Sequence, residues 1–271
     1  MQVLSAVESL SAVQACSAIQ ACNGITVIAG GEEVVPFTNT YSVDFDGVDD
    51  YAAIADSDDL SFGNGSTDSA FSISAWVKMD DATKFRIVAK QQDSSNIEYI
   101  FGVDGSDKLG VNLYDGTNSN YRGVQSANTL TGYEGTWVHL AFTYDGRGGS
   151  SAQDGITLYI NGIAISTTDN INASYTAMHN SAADLWIGGT EFVPDYANGK
   201  IDEVAIIPSE LSAAQVTAIY NSGAPADLTS YSPIVWTRFE EGTGTSITDS
   251  SGNGHTATLT NGPTFTSDVP T

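Results

Sequence analysis

The chain has 271 residues, 33 of them acidic and only 9 basic, for a formal charge of −24, yet charged residues total just 15% while apolar ones reach 41%. That apolar content excludes a disordered acidic chain and suffices for a buried core, in one large all-β domain or two smaller ones. Nine scattered cations form no patch for phosphate contacts, so nucleic acid and an anionic membrane surface are excluded as partners, whereas divalent cations such as Ca²⁺ are favoured.

No apolar run approaches the roughly 18 residues of a spanning helix. The opening, Met1 to Glu8, lacks the positive charge and unbroken apolar stretch of a secretory signal. Residues 4–22 form a six-residue repeat in which Leu4, Val7, Leu10, Val13, Cys16 and Ile19 recur at every third position. Rich in Ala, Gln and Glu, the segment reads as an amphipathic helix; the rival reading is a short β-solenoid, for which the usual glycines are missing. Either form must bury its stripe, so residues 1–24 are expected to be a docking or oligomerisation arm and the protein a homo-oligomer. Cys16 and Cys22 are the only cysteines. They read as small buried hydrophobes or as an intermolecular pair, and no disulfide framework supports the fold.

From about residue 25 the pattern changes to alternating β-branched and aromatic runs, such as Phe71 to Val77, Trp137 to Tyr144 and Thr157 to Ile160. Eleven Asn-Gly or Asp-Gly pairs punctuate the chain. Asn161-Gly162, between two apolar runs, is the pair a type I′ hairpin needs, because both turn residues take positive φ. Many short strands with tight turns predict two stacked antiparallel sheets, in sandwich or jelly-roll fashion, over residues 25–223. One helix is expected near residues 212–221, opened by a Ser212/Gln215 capping box and closed by Gly223. Ala224 to Asp227 reads as a linker, and residues 231–265 return to strand and turn composition.

Tyr41 to Tyr51 with its Phe-Asp-Gly core, Phe71 to Lys78, Gly135 to Ala141, Leu158 to Gly162, Leu185 to Gly189, and Gly199 to Ile206 followed by Leu211-Ser212 resemble the successive strand signatures of the laminin-G-like, concanavalin A-like jelly rolls. The resemblance covers residues 41–222 in family order. It implies the fold; lectins, pentraxins, glycosidases, lyases and structural modules all share that fold. One feature is out of order. Trp236 to Gly244, Asp249 to His255 and Leu259 to Pro263 resemble the segment that opens such domains, yet here they come last. A jelly roll without its first strands has unpaired edges, so residues 224–271 are expected to complete it, on their own domain as in a circular permutation or on the next copy in an array. Jelly rolls with this trailing segment are similar to those of structural proteins of marine bacteriophages.

Catalysis finds little support. Glycosidases on this fold set carboxylates at alternating positions of one strand. The nearest candidates, Asp202-Glu203 and Glu240-Glu241, are adjacent, which on a regular strand sends their side chains to opposite faces. His139, His179 and His255 are scattered, no cluster has zinc spacing, and Gly242 to Gly244 precedes no helix that could make a phosphate loop. No catalytic residue is assigned. The resemblance implies a structural Ca²⁺ held by a backbone carbonyl near the early Asp-Gly motif and an aspartate of the late strand, which maps to Asp46, Gly47 and Asp202; alternatively Asp46 serves its turn and Asp202 caps a loop. Trp76, Trp137 and Trp236 fall in core signatures. Trp186, Tyr99, Tyr114, Tyr121, Phe192 and Tyr196 are left as structural aromatics or a sugar platform.

These readings carry three functions. The first is a non-enzymatic virion structural protein, a capsid decoration, fibre or appendage subunit, assembled in a host cytoplasm, held by residues 1–24 and able to display the jelly roll for adhesion to host glycans. The alternative is an extracellular, secreted or surface carbohydrate-binding module. The third, a glycosidase or lyase, lacks its carboxylates.

Overall fold

The computed structural model describes residues 26–27, 33–34, 37–116 and 120–271. The expected arm at 1–24 lies outside the described residues. The chain divides into two compact units, Met1–Thr38 and Asn39–Thr271. In the first unit the strands β1 (Thr26–Val27) and β2 (Glu33–Val34) pair with each other. Strands are numbered in chain order.

The second unit is built of two antiparallel sheets. The eight-stranded sheet runs β12 (Ile163–Ala164), β11 (Ile156–Ile160), β10 (Val138–Tyr144), β5 (Phe71–Asp81), β15 (Asn198–Ile207), β3 (Ser42–Asp46) and β19 (Thr264–Thr266), with β16 (Val235–Thr237) also on β15. The nine-stranded sheet runs β13 (Thr167–Asn172), β9 (Tyr121–Ser126), β8 (Leu109–Tyr114), β7 (Ile97–Val103), β6 (Arg86–Gln91), β14 (Leu185–Ile187), β4 (Tyr51–Ile54), β18 (Ala257–Thr260) and β17 (Ser246–Ile247). Period-two alternation turns Phe71, Ile73, Leu140, Phe142, Val43 and Ile206 of one sheet toward Ile54, Val88, Phe101, Val111, Leu113 and Ile187 of the other, in a single buried cluster. Burial on this scale, at roughly 25 cal/mol per Å² of apolar surface, is what holds the sheets together.

The tail strands pair within their own chain. β19 lies on β3 (Phe265 opposite Val43), β18 on β4 (Leu259 opposite Ala52) and β16 on β15 (Trp236 opposite Ala205). The edges of β3 and β4 that would stand open without residues 235–266 are thereby covered.

Turn and cap chemistry explains the connections. Asn161 and Gly162 both take positive φ, 50° and 74°, and close the β11–β12 hairpin with Ile160 opposite Ile163. Helix α1 (Ala213–Tyr220) starts with the capping box: Ser212 Oγ accepts from the Gln215 amide at 3.3 Å, and the Gln215 side chain accepts from the Ser212 amide at 2.9 Å. It ends not at Gly223 but at Asn221, which adopts the left-handed conformation (φ 48°) that Asn tolerates better than most residues. No described helix is long and apolar enough to cross a membrane.

Candidate functional site

Three places gather functional side chains, and the first is the turn after β3. Asp46 Oδ1 accepts from the amides of Val48 (2.8 Å) and Asp49 (3.4 Å), while Asp50 Oδ2 accepts from the Asp46 amide at 3.1 Å. These bonds fold the Asp46-Gly47-Val48-Asp49-Asp50 run so that carboxylate oxygens of Asp46, Asp49 and Asp50 lie within 4.8 Å of one another. Burial raises the Asp50 carboxyl above its ordinary pKa, with the charges of Asp46, Asp49 and Asp44 adding to it. A pocket of about 310 Å³ opens beside them, bordered by Asp44, Asp80, Asn198 and Asn261. Hard oxygen donors converging without a cationic side chain fit Ca²⁺ chemistry; the nearby Lys200 is engaged by Asp44.

Asp202 is not part of this group. Asp46 stands opposite Asn198 on β15, four residues from Asp202, or about 13 Å along the strand. One ion cannot be shared across that distance. Asp49 and Asp50 are the carboxylates that lie near Asp46 instead, since the tight turn of the Asp-Gly-Val-Asp-Asp run returns residues i, i+3 and i+4 to one side.

Asp202 belongs to the second place, a bulge in β15. Trp76 pairs with Asp202 and Ser74 with Ala205, so one extra residue is accommodated, and Glu203 takes φ 51°. Ile201 and Val204 both enter the core. The two residues between them therefore emerge together on the outer face, contrary to the opposite-face reading of adjacent residues. There β15 exchanges β3 for β16 as its neighbour. Asp202 accepts from the Asn39 side chain (2.8 Å) and the Glu203 amide (2.8 Å); Glu203 accepts from Trp236 Nε1 (2.6 Å) and Arg238 Nε (2.9 Å). Asp202 is 0% exposed and Glu203 3%. Burial, reinforced by Glu203, raises Asp202 well above the ordinary carboxyl range. Burial likewise lifts Glu203 to about 7 against the lowering effect of Arg238. With every oxygen turned to the protein's own groups, the pair joins two chain segments and meets no substrate. Glu240 and Glu241 also serve the backbone, accepting from the amides of Thr40 and Thr248.

The third place is the outer face of the nine-stranded sheet. Register sets Thr258, Ala53, Trp186, Ala89, Ile100, Asn112, Gly123 and Asn170 in one row across eight strands. Gly123 lies between two amides, and Asn170 Nδ2 donates to Asn112 Oδ1 across it at 3.0 Å. A Cβ at position 123 would collide with that oxygen and with the Val111 carbonyl. Tyr121, half-buried, packs on Tyr114 at 5.2 Å between ring centroids. At the other end Trp186 stacks on Tyr51 at 3.6 Å. Ala53, Ala89 and Gly123 separate the larger groups of the row, in which Ala89, Ile100 and Trp186 are buried and Asn112 and Asn170 half-buried. Its amides and tyrosine edges offer the mixture of donors, acceptors and ring surface that polyhydroxylated ligands use.

The aromatic candidates divide accordingly. Tyr99 is fully buried in the core and donates to the Leu60 carbonyl at 2.9 Å, so it is not on an outer face. Trp186 and Tyr114 lie on the outer face but are nearly covered, Tyr121 and Tyr196 are half-buried, and Phe192 is exposed. Trp76 sits beneath α1, stacked on Tyr220, and Trp137 bonds to Asp268. His139 is buried, bonded to Ser74 Oγ at 2.7 Å, and desolvation lowers its pKa to about 3. Asn112 and Asn170 escaped sequence reasoning because only the register reveals that they share a row, and Tyr51 because only the fold brings its ring onto Trp186.

The family described as the concanavalin A-like lectin/glucanases superfamily matches residues 46–217, more than half of the chain. The chain belongs to that superfamily, and its two antiparallel sheets form a sandwich of that fold. A protein from Bacteroides ovatus ATCC 8483, for which carbohydrate binding is itself proposed, has a similar structure at 18% identity and a TM-score of 0.56, the match covering 87% of this chain and 62% of that one. This chain thus spans less than two thirds of that relative's length. Also similar are the heptameric SAP-like pentraxin of Limulus polyphemus (15% identity, TM-score 0.47, 69% and 84% covered) and domain 4 of AbnA, an extracellular GH43 arabinanase of Geobacillus stearothermophilus, in complex with arabinotriose (20%, 0.43, 66% and 87%). At these identities the likeness is one of fold. No curated protein matches the sequence.

Proposed function

We propose that the second unit is a non-enzymatic carbohydrate-binding module that receives glycan on the outer face of the nine-stranded sheet. The observation that carries this reading is that the Asn112–Asn170 amide pair adjoins the Tyr121 ring, whose hydroxyl lies against Asn170. Its support is chemical: ring surface and amide groups lie side by side on a half-exposed face, whereas the buried Asp202–Glu203 pair is closed to substrate. Binding of a polysaccharide panel, followed by titration calorimetry of the best ligand, tests it. Tyr121→Ala and Asn112→Ala should each weaken binding about tenfold, or roughly 1.4 kcal/mol. Unchanged affinity in both variants would remove this face from consideration.

The carbohydrate-binding reading is preferred to the virion one, which rests on motif order and on residues 1–24. The two are compatible, since a virion subunit can display such a module. Oligomer assembly through residues 1–24 remains part of the proposal, tested by the solution mass of the full chain beside one lacking that segment. Ca²⁺ is assigned to the Asp46, Asp49 and Asp50 carboxylates beside Gly47, where it would tie β3 to β4 and supply no chemistry to a reaction.

A further inference from the structure

Lys90 is a second buried charge with its own carboxylate pair, remote in sequence from the groups above. It closes β6, opposite Leu185 of β14, and Leu185 in turn stands opposite Ile54 of β4, two residues before Asp56. The Lys90 side chain thus reaches past β14 to the chain leaving β4. Nζ is 2.6 Å from Asp56 Oδ1 and 3.0 Å from Glu98 Oε1; the Lys90 and Glu98 side chains are fully buried, and that of Asp56 is 29% exposed. The carbonyls of Ser181 (3.0 Å) and Ala183 (2.8 Å) fix the position of Nζ.

Glu98 is held on one oxygen only. Oε1 accepts from Ser61 Oγ and from the amide and hydroxyl of Ser181. Oε2 is buried with no hydrogen-bond partner among the described residues, and burial raises the carboxyl above its ordinary pKa. One ammonium cannot neutralise two carboxylates, and a bare buried oxygen carries a desolvation penalty. Condensing the ammonium with one carboxylate removes both charges of that pair. A buried amine held in contact with a carboxyl group also has the proximity that gives intramolecular reactions effective molarities of order 10⁵–10⁸ M.

We propose that Lys90 and Asp56 join in an intramolecular amide cross-link, with Glu98 as the proton carrier. One proton passes along the 2.6 Å hydrogen bond from Nζ to Asp56 Oδ1, leaving an amine against a carboxylic acid. The nitrogen lone pair forms the Nζ–Cγ bond. A second proton then moves from that nitrogen to Glu98, which returns it to the departing hydroxyl, and the C–O bond breaks to release water. Ammonium and carboxylate become a secondary amide and one water, with no oxidant or cofactor. Asp56 rather than Glu98 is the acyl partner because its exposed side gives that water an exit, whereas Glu98 is enclosed and anchored by serine donors.

Intact mass of the full-length protein in denaturant tests this directly. The wild type should be lighter than its sequence mass by one water, and digestion should release a branched peptide joining the segments around Lys90 and Asp56. Asp56→Ala and Lys90→Met should restore the full mass, and Glu98→Gln should leave most of the chain unlinked. A wild-type protein at its full sequence mass overturns the proposal. So does a water loss that maps elsewhere, such as to an Asp-Gly succinimide. Cross-linking in Glu98→Gln as complete as in the wild type would remove Glu98 from its role.

Discussion

The outer faces of the two sheets are used in opposite ways. On the eight-stranded sheet the chain covers its own surface: Tyr220 of α1 stacks on Trp76, the Asp202–Glu203 pair is closed over by Asn39, Trp236 and Arg238, and Asp268 of the tail accepts from Lys78 (2.7 Å) and Trp137 (2.9 Å). The nine-stranded sheet carries small residues, amides and tyrosines, and α1 packs on the other sheet. Burying charged groups is expensive, so a covered face must satisfy them and becomes part of stability. On the other face Ala89, Ile100 and Tyr114 form a small buried cluster of their own, with Tyr121 packed against it and Asn112 and Asn170 half-buried beside it.

The sharpest way to break this contrast is to disturb the covered face. Glu203→Ala removes the carboxylate that accepts from Trp236 Nε1 and Arg238 Nε and should cost about 3–5 kcal/mol, the range for removing one partner of a buried charged pair. Chemical denaturation would read it, and a loss within about 0.5 kcal/mol would mean the face is not structural. The same pair should make stability pH-dependent. Glu203 lies near 7 in the folded protein against an ordinary 4.5, so between those values the native state holds more protons than the unfolded one. Its stabilising contribution is therefore full below about 4.5 and lost as pH rises through about 7, with a slope of up to about 1.4 kcal/mol per pH unit. Melting temperature followed from pH 5 to 8 should fall in the wild type and less so in Glu203→Gln.

Changes on the nine-stranded face should do the reverse, with Tyr121→Ala altering stability by no more than about 1 kcal/mol while reducing glycan affinity. Gly123→Ser is the exception, since its Cβ would meet the Val111 carbonyl as well as the Asn112 side-chain oxygen, so it should lower stability together with affinity. The smallest effect is expected at the acidic turn. Chelator should lower the melting temperature by a few degrees, corresponding to roughly 1 kcal/mol, and Asp50→Asn should abolish that response. A melting curve indifferent to chelator in the wild type would dismiss the Ca²⁺ assignment.

How much of this was legible in the sequence depended on whether the determining contacts were local. The Asn161-Gly162 hairpin and the Ser212/Gln215 cap follow from φ preferences and from donors three residues apart, so residue types alone predict them. The helix bounds near 212–221 follow the same local logic, although the C-cap is Asn221, which takes the left-handed conformation, rather than Gly223. At the acidic turn Asp46 lies beside Asp49 and Asp50, whereas Asp202, joined to it by motif, stands about 13 Å further along β15.

The alternation of apolar and polar residues and the turn dipeptides determined by themselves a two-sheet β-sandwich, because strand period and turn conformation are properties of neighbouring residues. Which residues meet across strands was decided only by tertiary structure. A single extra residue in β15 brought Asp202 and Glu203 to one face, and register across eight strands aligned Asn112, Gly123 and Asn170. Both depend on contacts between segments far apart in the chain, where a shift of one residue reverses every side chain.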